Sequence, residues 1–308
     1  MSGWTPARAR RLDEIAGPDG IIVGAAVDHR DSLRTAIERK GLPAPSDDAL
    51  AQLKVRIARA LSPASTVFLL DAEYGAAQAL AAGALPGDVA LAIALEAQGY
   101  GDVAANPQTT FLPGWSPGKS ALLGASGCKL LLPYRTDNPD QADRQDDVVR
   151  VAVDGCRAAG VALILEPIVY GEADADRFGE LVVEGAARLS RLGPDILKVQ
   201  YPGSADSCRS LDVACGPDVP WVLLGGGASG EDLERHVGEA CAAGASGFIV
   251  GRTLWDVALV LDPSEEATLL ATVSLSLFER LGAVARAHAT PWRTRVGAIA
   301  APPAGRLP

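Results

Sequence analysis

The feature that most restricts how this chain can fold is a repeat of short apolar runs. Eight of them, at residues 21–27, 66–70, 89–95, 128–132, 161–165, 196–199, 221–224 and 248–250, are rich in Val, Ile, Leu and Ala and bounded by Gly, Pro or Asp. Near-continuous apolar runs of this length are strands buried on both faces, the kind found in parallel sheets covered by helices. The segments between them have helical periodicity. At 48–61, Leu50, Leu53, Ile57 and Leu61 recur at three- and four-residue steps, with Lys54, Arg56 and Arg59 between them. Helices are also expected over 145–158, 177–192, 230–243 and 268–287, the third of these opened by Ser229 and closed at Gly244. Eight strand–helix units in one chain of this length read as an α/β fold, a (β/α)8 TIM barrel. The expected domain is a single one over 1–308, with a core at 20–290, a short N-terminal extension and a tail from Arg293 that packs loosely. The alternative is a doubly wound open sheet. Against it, the first strand–helix turn lacks Gly-x-Gly-x-x-Gly, and Gly225-Gly226-Gly227 follows the seventh run, where a barrel's phosphate loop lies.

Composition narrows the partners. A formal net charge of −10 argues against a nucleic-acid surface or a basic membrane patch, though not against a small anionic substrate. No apolar run reaches transmembrane length, and the N-terminus has no apolar stretch after its basic residues. The five cysteines are odd in number and lack Cys-x-x-Cys spacing, which fits reduced thiols in a cytoplasmic protein. His29, His236 and His288 are scattered and make no metal cluster.

The strand ends carry the chemistry. Barrel enzymes build their sites at the C-terminal ends of the strands. Here the first run ends in Asp28-His29-Arg30, the second in Asp71-Ala72-Glu73 and the third in Glu96. The fourth carries Lys129, the fifth ends in Glu166 and the sixth carries Lys198. Asp71, Glu73 and Glu96 read most simply as salt-bridge members. Six structural charges in a row is a costly arrangement, because a buried charge must be paired. Adjacent strands lie ~4.8 Å apart, so Lys129, Glu166 and Lys198 share one neighbourhood if all face the lumen. Period-two alternation allows this, since Glu166 shares a face with Ile164, and Lys198 with Ile196. A desolvated lysine near a second cation is a candidate neutral amine able to form a Schiff base with a ketone, with the carboxylate moving protons. That is the chemistry of a class I aldolase; a structural Lys–Glu–Lys cluster is the alternative.

Gly225-Gly226-Gly227-Ala228-Ser229-Gly230 precedes a helix, and Gly251-Arg252-Thr253 follows the eighth run. Glycines let backbone N–H groups approach an anion at a helix N-terminus, and a guanidinium can grip phosphate, so Gly226, Gly227, Gly251 and Arg252 are candidate anion-binding residues. Arg30 is a candidate for a second anionic group at the far end of an extended substrate, against a surface pair with Asp31 or Glu38. His29 is a candidate hydrogen-bond partner of a substrate hydroxyl or an auxiliary proton donor, against an ordinary satisfied histidine.

Five segments carry a resemblance: Leu69-Leu70-Asp71-Ala72-Glu73-Tyr74-Gly75, Glu96-Ala97-Gln98-Gly99-Tyr100, Cys128-Lys129-Leu130-Leu131-Leu132-Pro133-Tyr134, Leu165-Glu166-Pro167 and Asp195-Ile196-Leu197-Lys198-Val199. Together they resemble the tagatose 1,6-bisphosphate aldolase family and its relatives, the bacterial sulfofructosephosphate aldolases, from about Gly20 to Trp255. The resemblance implies a metal-independent enzyme without a cofactor, with Lys198 as the Schiff-base lysine, Glu166 as acid/base, Lys129 as the second lysine and Asp28 as the strand-one aspartate. Gly251-Arg252 matches an anion-binding position. The implied products are dihydroxyacetone phosphate and a three-carbon aldehyde bearing phosphate or sulfonate. Two positions depart from the family pattern: His29 stands where Gln is common, and Gln200 where an acidic residue is common. Other readings are a Schiff-base lyase acting on a deoxy-sugar or inositol-derived phosphate, and a sugar-phosphate-sensing barrel without turnover. The expected partner is a small-molecule ketose phosphate, with no nucleic acid and no membrane, and a homo-oligomer is expected.

Overall fold

The computed structural model describes residues 4–97, 107–171, 173–296 and 299. Eight parallel strands close into one barrel in chain order: β1 (Ile22–Ala26), β2 (Val67–Leu70), β3 (Ala90–Ala94), β4 (Gly127–Pro133), β5 (Ala162–Ile168), β6 (Ile196–Val199), β7 (Trp221–Leu224) and β8 (Gly247–Val250). The ring is completed by β8 pairing with β1, in register Ile22↔Gly247. An open doubly wound sheet is thereby excluded. The helices are α1 (Pro6–Ala16), α2 (Asp31–Arg39), α3 (Asp47–Leu61), α4 (Ala76–Ala81), α5 (Pro117–Leu122), α6 (Pro139–Ala159), α7 (Ala175–Leu189), α8 (Ala205–Cys215), α9 (Gly230–Ala242), α10 (Arg252–Trp255), α11 (Pro263–Leu269), α12 (Leu275–His288) and α13 (Trp292–Arg295).

Alternation along each strand sorts the core into two bodies. Val23, Ala25, Phe68, Leu70, Leu91, Ile93, Leu163, Leu165, Trp221 and Phe248 face outward and pack beneath the helices. Ile22, Ala26, Val67, Leu69, Ala90, Ala92, Ala162, Ile164, Ile196, Val222 and Ile249 face the lumen. The lumen is narrow enough to require small residues: a Cβ on Gly24 would meet Ile249 at 2.6 Å. Local caps set the helix starts. Asn138 accepts from the Gln141 N–H with Pro139 in the first turn, so α6 begins six residues before the start at 145 expected from periodicity. The long final helix begins earlier than expected too, at the Asp262 cap, and is broken by a π-helical turn at Leu270–Ser274.

Both ends of the chain belong to the barrel rather than lying beside it. In α1, Leu12 and Ile15 are fully buried against the lumen residues at the N-terminal ends of the strands. Trp4 and Trp292 pack beneath them, ring centroids 5.4 Å apart and planes tilted by 37°. The loose tail expected from Arg293 therefore starts later. Trp292 is fully buried, Arg295 pairs with Asp212, and Arg295 donates to the Gly216 carbonyl at 2.8 Å. The remainder of that tail, residues 297, 298 and 300–308, lies outside the described residues. The stretch Pro263–Arg295 is long and apolar enough to cross a membrane by length and composition. No single apolar run announces it, because the apolar residues are spread over three helices; its Leu270, Leu277, Phe278, Leu281 and Ala285 are buried in the outer core.

Candidate active site

The lumen parity that runs through Gly127, Ile164 and Ile196 carries, two residues on, Lys129, Glu166 and Lys198. All three are buried at the C-terminal end of the barrel. The structure brings them together as the alternation requires. Glu166 Oε1 lies 3.0 Å from Lys198 Nζ, and Glu166 Oε2 lies 3.1 Å from Lys129 Nζ. One carboxylate thus spans two ammonium positions.

Lys129 has two further carboxylate partners. It donates to Asp28 Oδ2 at 2.8 Å and to Glu96 Oε1 at 2.6 Å. The other Glu96 oxygen accepts from the Leu131 N–H at 3.1 Å, which fixes the carboxylate across the top of β3 and β4. Glu96 is 1% exposed. It is the salt-bridge member that the sequence suggests, and its partner is the site lysine. The signal was available: Ala90, Ala92, Ala94 and Glu96 share one parity. Asp71 does fit the structural reading, pairing with fully buried Lys54 and accepting from the N–H groups of Glu73 and Tyr74.

The charges shift the carboxyl groups. Burial by itself raises the Asp28 pKa, but the Lys129 ammonium, with His29 and Lys198 behind it, outweighs burial and holds Asp28 well below the usual carboxylate range. Glu166 behaves likewise: burial raises it, and Lys129 and Lys198 bring it below its ordinary value. His29 is pushed down to about 4, first by burial, against the pull of Asp28 and with help from Lys129, Arg252 and Lys198. Its imidazole is neutral at pH 7. The ring sits edge-on to Trp255 at 5.2 Å, with Nδ1 3.6 Å from Asp28 Oδ1.

Arg30 is not a surface residue. It is 3% exposed and donates to Glu73 Oε2 and to the Glu96 carbonyl, both at 2.6 Å. In place of a surface pair with Asp31 or Glu38, the buried guanidinium meets the exposed Glu73 carboxylate, because the chain turns Arg30 back over the ends of β2 and β3. Gln200 accepts from the Val169 N–H at 2.7 Å, tying the end of β6 to that of β5. Tyr201 turns away to stack on His236 at 3.8 Å.

The glycine loop has the form its composition suggests. Gly226 and Gly227 have φ of 58° and 80°, a left-handed conformation that other residues adopt at a cost. The loop runs into α9, whose Ser229 cap accepts from the Asp232 N–H. Thr253 donates to the Ala228 carbonyl at 2.9 Å and so ties the loop to α10. A Cβ on Gly251 would meet the Ala26 carbonyl at 2.6 Å and His29 at 3.1 Å, so only glycine fits there. Arg252 is exposed, and a Cβ on Gly227 would lie 3.5 Å from its Nη2. Arg252 has no carboxylate partner among the described residues. No group of three or more His, Cys, Asp or Glu side chains placed to hold a metal occurs among the described residues. Gln98-Gly99-Tyr100, part of the strand-three motif, lies outside them.

The closed eight-stranded barrel sets two lysines bridged by one glutamate, with a glycine loop and a free guanidinium, at the end where enzymes of this fold carry their sites. The chain belongs to the DeoC/LacD family of aldolases, whose family model matches residues 22–257. It is an aldolase, a lyase. Tagatose 1,6-diphosphate aldolase 2 of Streptococcus mutans serotype c is 26% identical over 322 residues, covering 92% of this chain and 96% of that protein. The enzyme of the same name from Streptococcus agalactiae serotype III is 26% identical, covering 95% and 99%. Among solved structures, fructose-bisphosphate aldolase from Slackia heliotrinireducens superposes with a TM-score of 0.66 at 16% identity, covering 91% of this chain and 90% of that one. An archaeal fructose 1,6-bisphosphate aldolase gives 0.62 at 18% identity, covering 91% and 99%. These structures share the fold.

Proposed function

We propose that the protein is a class I aldolase that cleaves a ketose phosphate, of the kind handled by the tagatose-bisphosphate relatives, to dihydroxyacetone phosphate and a three-carbon aldehyde. The observation that carries this reading is Glu166 set between Lys198 at 3.0 Å and Lys129 at 3.1 Å. The two lysines are not equivalent. Lys129 is held by three carboxylates, which favour its charged form, whereas among the described residues Glu166 is the one carboxylate on Lys198. Lys198 is therefore assigned the nucleophile.

Glu166 first takes a proton from the Lys198 ammonium beside it, and the free amine attacks the C2 carbonyl of the ketose to give a carbinolamine. Glu166 supplies the proton with which water leaves, and an iminium forms. Glu166, again a carboxylate, takes the C4 hydroxyl proton. The C3–C4 bond breaks, its electron pair moves to the iminium nitrogen as an enamine, and the aldehyde departs. Protonation at C3 and hydrolysis release dihydroxyacetone phosphate and free Lys198. Lys129 stays charged and hydrogen-bonds the substrate oxygen. Asp28 orients a hydroxyl, and neutral His29 is placed to accept from another. Gly226, Gly227, Gly251 and Arg252 hold the phosphate. The five cysteines are buried free thiols, in keeping with a reducing, cytoplasmic setting.

The test is cleavage of a ketose 1,6-bisphosphate or 1-phosphate panel, followed as dihydroxyacetone phosphate release after dialysis against EDTA. Release that persists, and is lost in Lys198→Ala, supports the reading. Release that EDTA abolishes contradicts it.

A further inference from the structure

We infer that the fully buried ion pair of Lys54 and Asp71 is a positioning device for the site: it shapes the turn after β2 so that Glu73 holds Arg30 against the Glu96 carbonyl, beside Lys129. This rests on the aldolase reading above and adds two residues that act on the site from a distance.

Lys54 occupies a place where packing alone calls for an apolar residue. In α3 it shares the buried face of Leu50, Leu53, Ile57, Ala58 and Leu61, and no part of it is exposed. A lysine is almost never fully buried unless something pairs with it. Its ammonium pairs with the equally buried Asp71 carboxylate. Apolar side chains of similar volume commonly replace such a pair with no loss of stability, so stability alone gives no reason for charges here. The reaction steps above use neither residue.

The pair holds a turn. One Asp71 oxygen takes the Lys54 ammonium. The other accepts from the N–H groups of Glu73 at 2.9 Å and Tyr74 at 2.7 Å. The Asp71 carbonyl accepts from the Ala76 N–H at 2.9 Å, and a Cβ on Gly75 would meet Asp71 Oδ2 at 2.9 Å, so the chain is wrapped closely round this carboxylate. Glu73 is exposed, and an exposed carboxylate gains little by meeting a cation unaided. The turn brings it to Arg30 at 2.6 Å. Arg30 donates with its other terminal nitrogen to the Glu96 carbonyl at 2.6 Å, and the Glu96 carboxylate accepts from Lys129 at 2.6 Å. A continuous path, passing through the backbone of Glu73 and of Glu96, thus joins α3 to the site lysine. Burial lowers the Lys54 pKa against the pull of Asp71 and, from within the site, of Asp28, which places the ammonium in the electrostatic field of the site. The two N–H bonds to Asp71 are part-buried, so water can replace the acceptor; their loss alters where Glu73 points more than it alters stability.

The experiment uses the full chain with tagatose 1,6-bisphosphate as the probe. Lys54→Met/Asp71→Leu exchanges the pair for apolar side chains and removes the acceptor. Its urea midpoint is expected to stay near that of the parent, while kcat falls about tenfold or more and KM changes less. A variant of parental stability with kcat within about threefold of the parent overturns the inference, because a merely structural pair would have been replaced without consequence. Glu73→Ala breaks the path at an exposed residue and leaves the buried pair intact. It is expected to give a similar loss in kcat at unchanged stability, and the triple variant is expected to lose no more than about threefold beyond either parent variant. An unaffected Glu73→Ala overturns the inference even if the double variant fails to fold, and so do losses that simply multiply in the triple variant. Borohydride trapping of dihydroxyacetone phosphate by the parent separates the two levels. With trapping intact, failure belongs to the positioning inference; without it, the Schiff-base reading itself fails.

Discussion

Glu166 and Lys198 meet at 3.0 Å from adjacent strands, both buried, and Glu166 reaches Lys129 with its other oxygen. The two ion pairs share one carboxylate, so removing any member changes the charge seen by the other two. That coupling governs how substitutions here are expected to behave.

Glu166→Gln keeps the shape and removes the proton carrier. The expected loss in kcat is about 10²–10⁴-fold, the range ascribed to a positioned acid/base group, with a much smaller change in KM. Steady-state kinetics on the purified variant check this. A kcat within threefold of the parent would remove Glu166 from the proposed proton transfers.

Lys129→Met leaves Asp28, Glu96 and Glu166 buried without their common cation. Breaking a buried pair from one side costs about 3–5 kcal/mol. The expected denaturation midpoint falls accordingly, and activity falls with it. Adding Glu96→Gln to Lys129→Met should recover part of the stability, because one uncompensated charge is removed. Urea titrations of the single and double variants measure the recovery.

His29 makes the fold acid-sensitive in a definite window. Its native pKa is about 4, lowered first by burial, against an unfolded value near 6.5. As pH falls from 6.5 towards 4, the unfolded chain takes up a proton that the native chain refuses, so stability declines over that interval. His236 is lowered too, chiefly by burial, and acts in the same direction. Asp28 and Glu166 join the decline from about pH 5 downward, where their unfolded carboxyls begin to take up protons that the native groups, lowered by Lys129 and Lys198, refuse. His29→Asn should therefore flatten the decline of Tm between pH 6.5 and 4.5 without abolishing it. An unchanged slope would show that the imidazole is not the group responsible.

Much of this was legible in the sequence. Strands are short and buried on both faces, so the apolar runs locate them. Period-two alternation then places Lys129, Glu166 and Lys198 on the lumen side without further information. The role of Glu96 was not legible, because its meaning depends on Lys129, which reaches it across a strand pair. Nor was the pairing of buried Arg30 with Glu73, which requires the β1 loop to fold back over β2. Helix α1 was missed for a similar reason. Its buried Ala9, Leu12, Ile15 and Ala16 are interspersed with Arg8, Arg10, Arg11, Asp13 and Glu14, and its apolar face finds a partner only once the barrel has closed.

That plug offers a test of the fold apart from the chemistry. Trp292 is fully buried against Trp4 at the foot of the lumen. Trp292→Ala is expected to cost about 3–5 kcal/mol of stability. At temperatures where the variant remains folded, its kcat should stay close to that of the parent, because the site lies at the opposite end of the strands. Thermal melts paired with initial rates provide the check.

The central claim is that Lys198, and not Lys129, forms the covalent intermediate. Incubation with dihydroxyacetone phosphate, reduction with borohydride and mass analysis of the proteolytic peptides address it directly. The account predicts one triose-phosphate adduct, on the peptide containing Lys198, absent from Lys198→Ala. An adduct on Lys129, or one that survives Lys198→Ala, would contradict it.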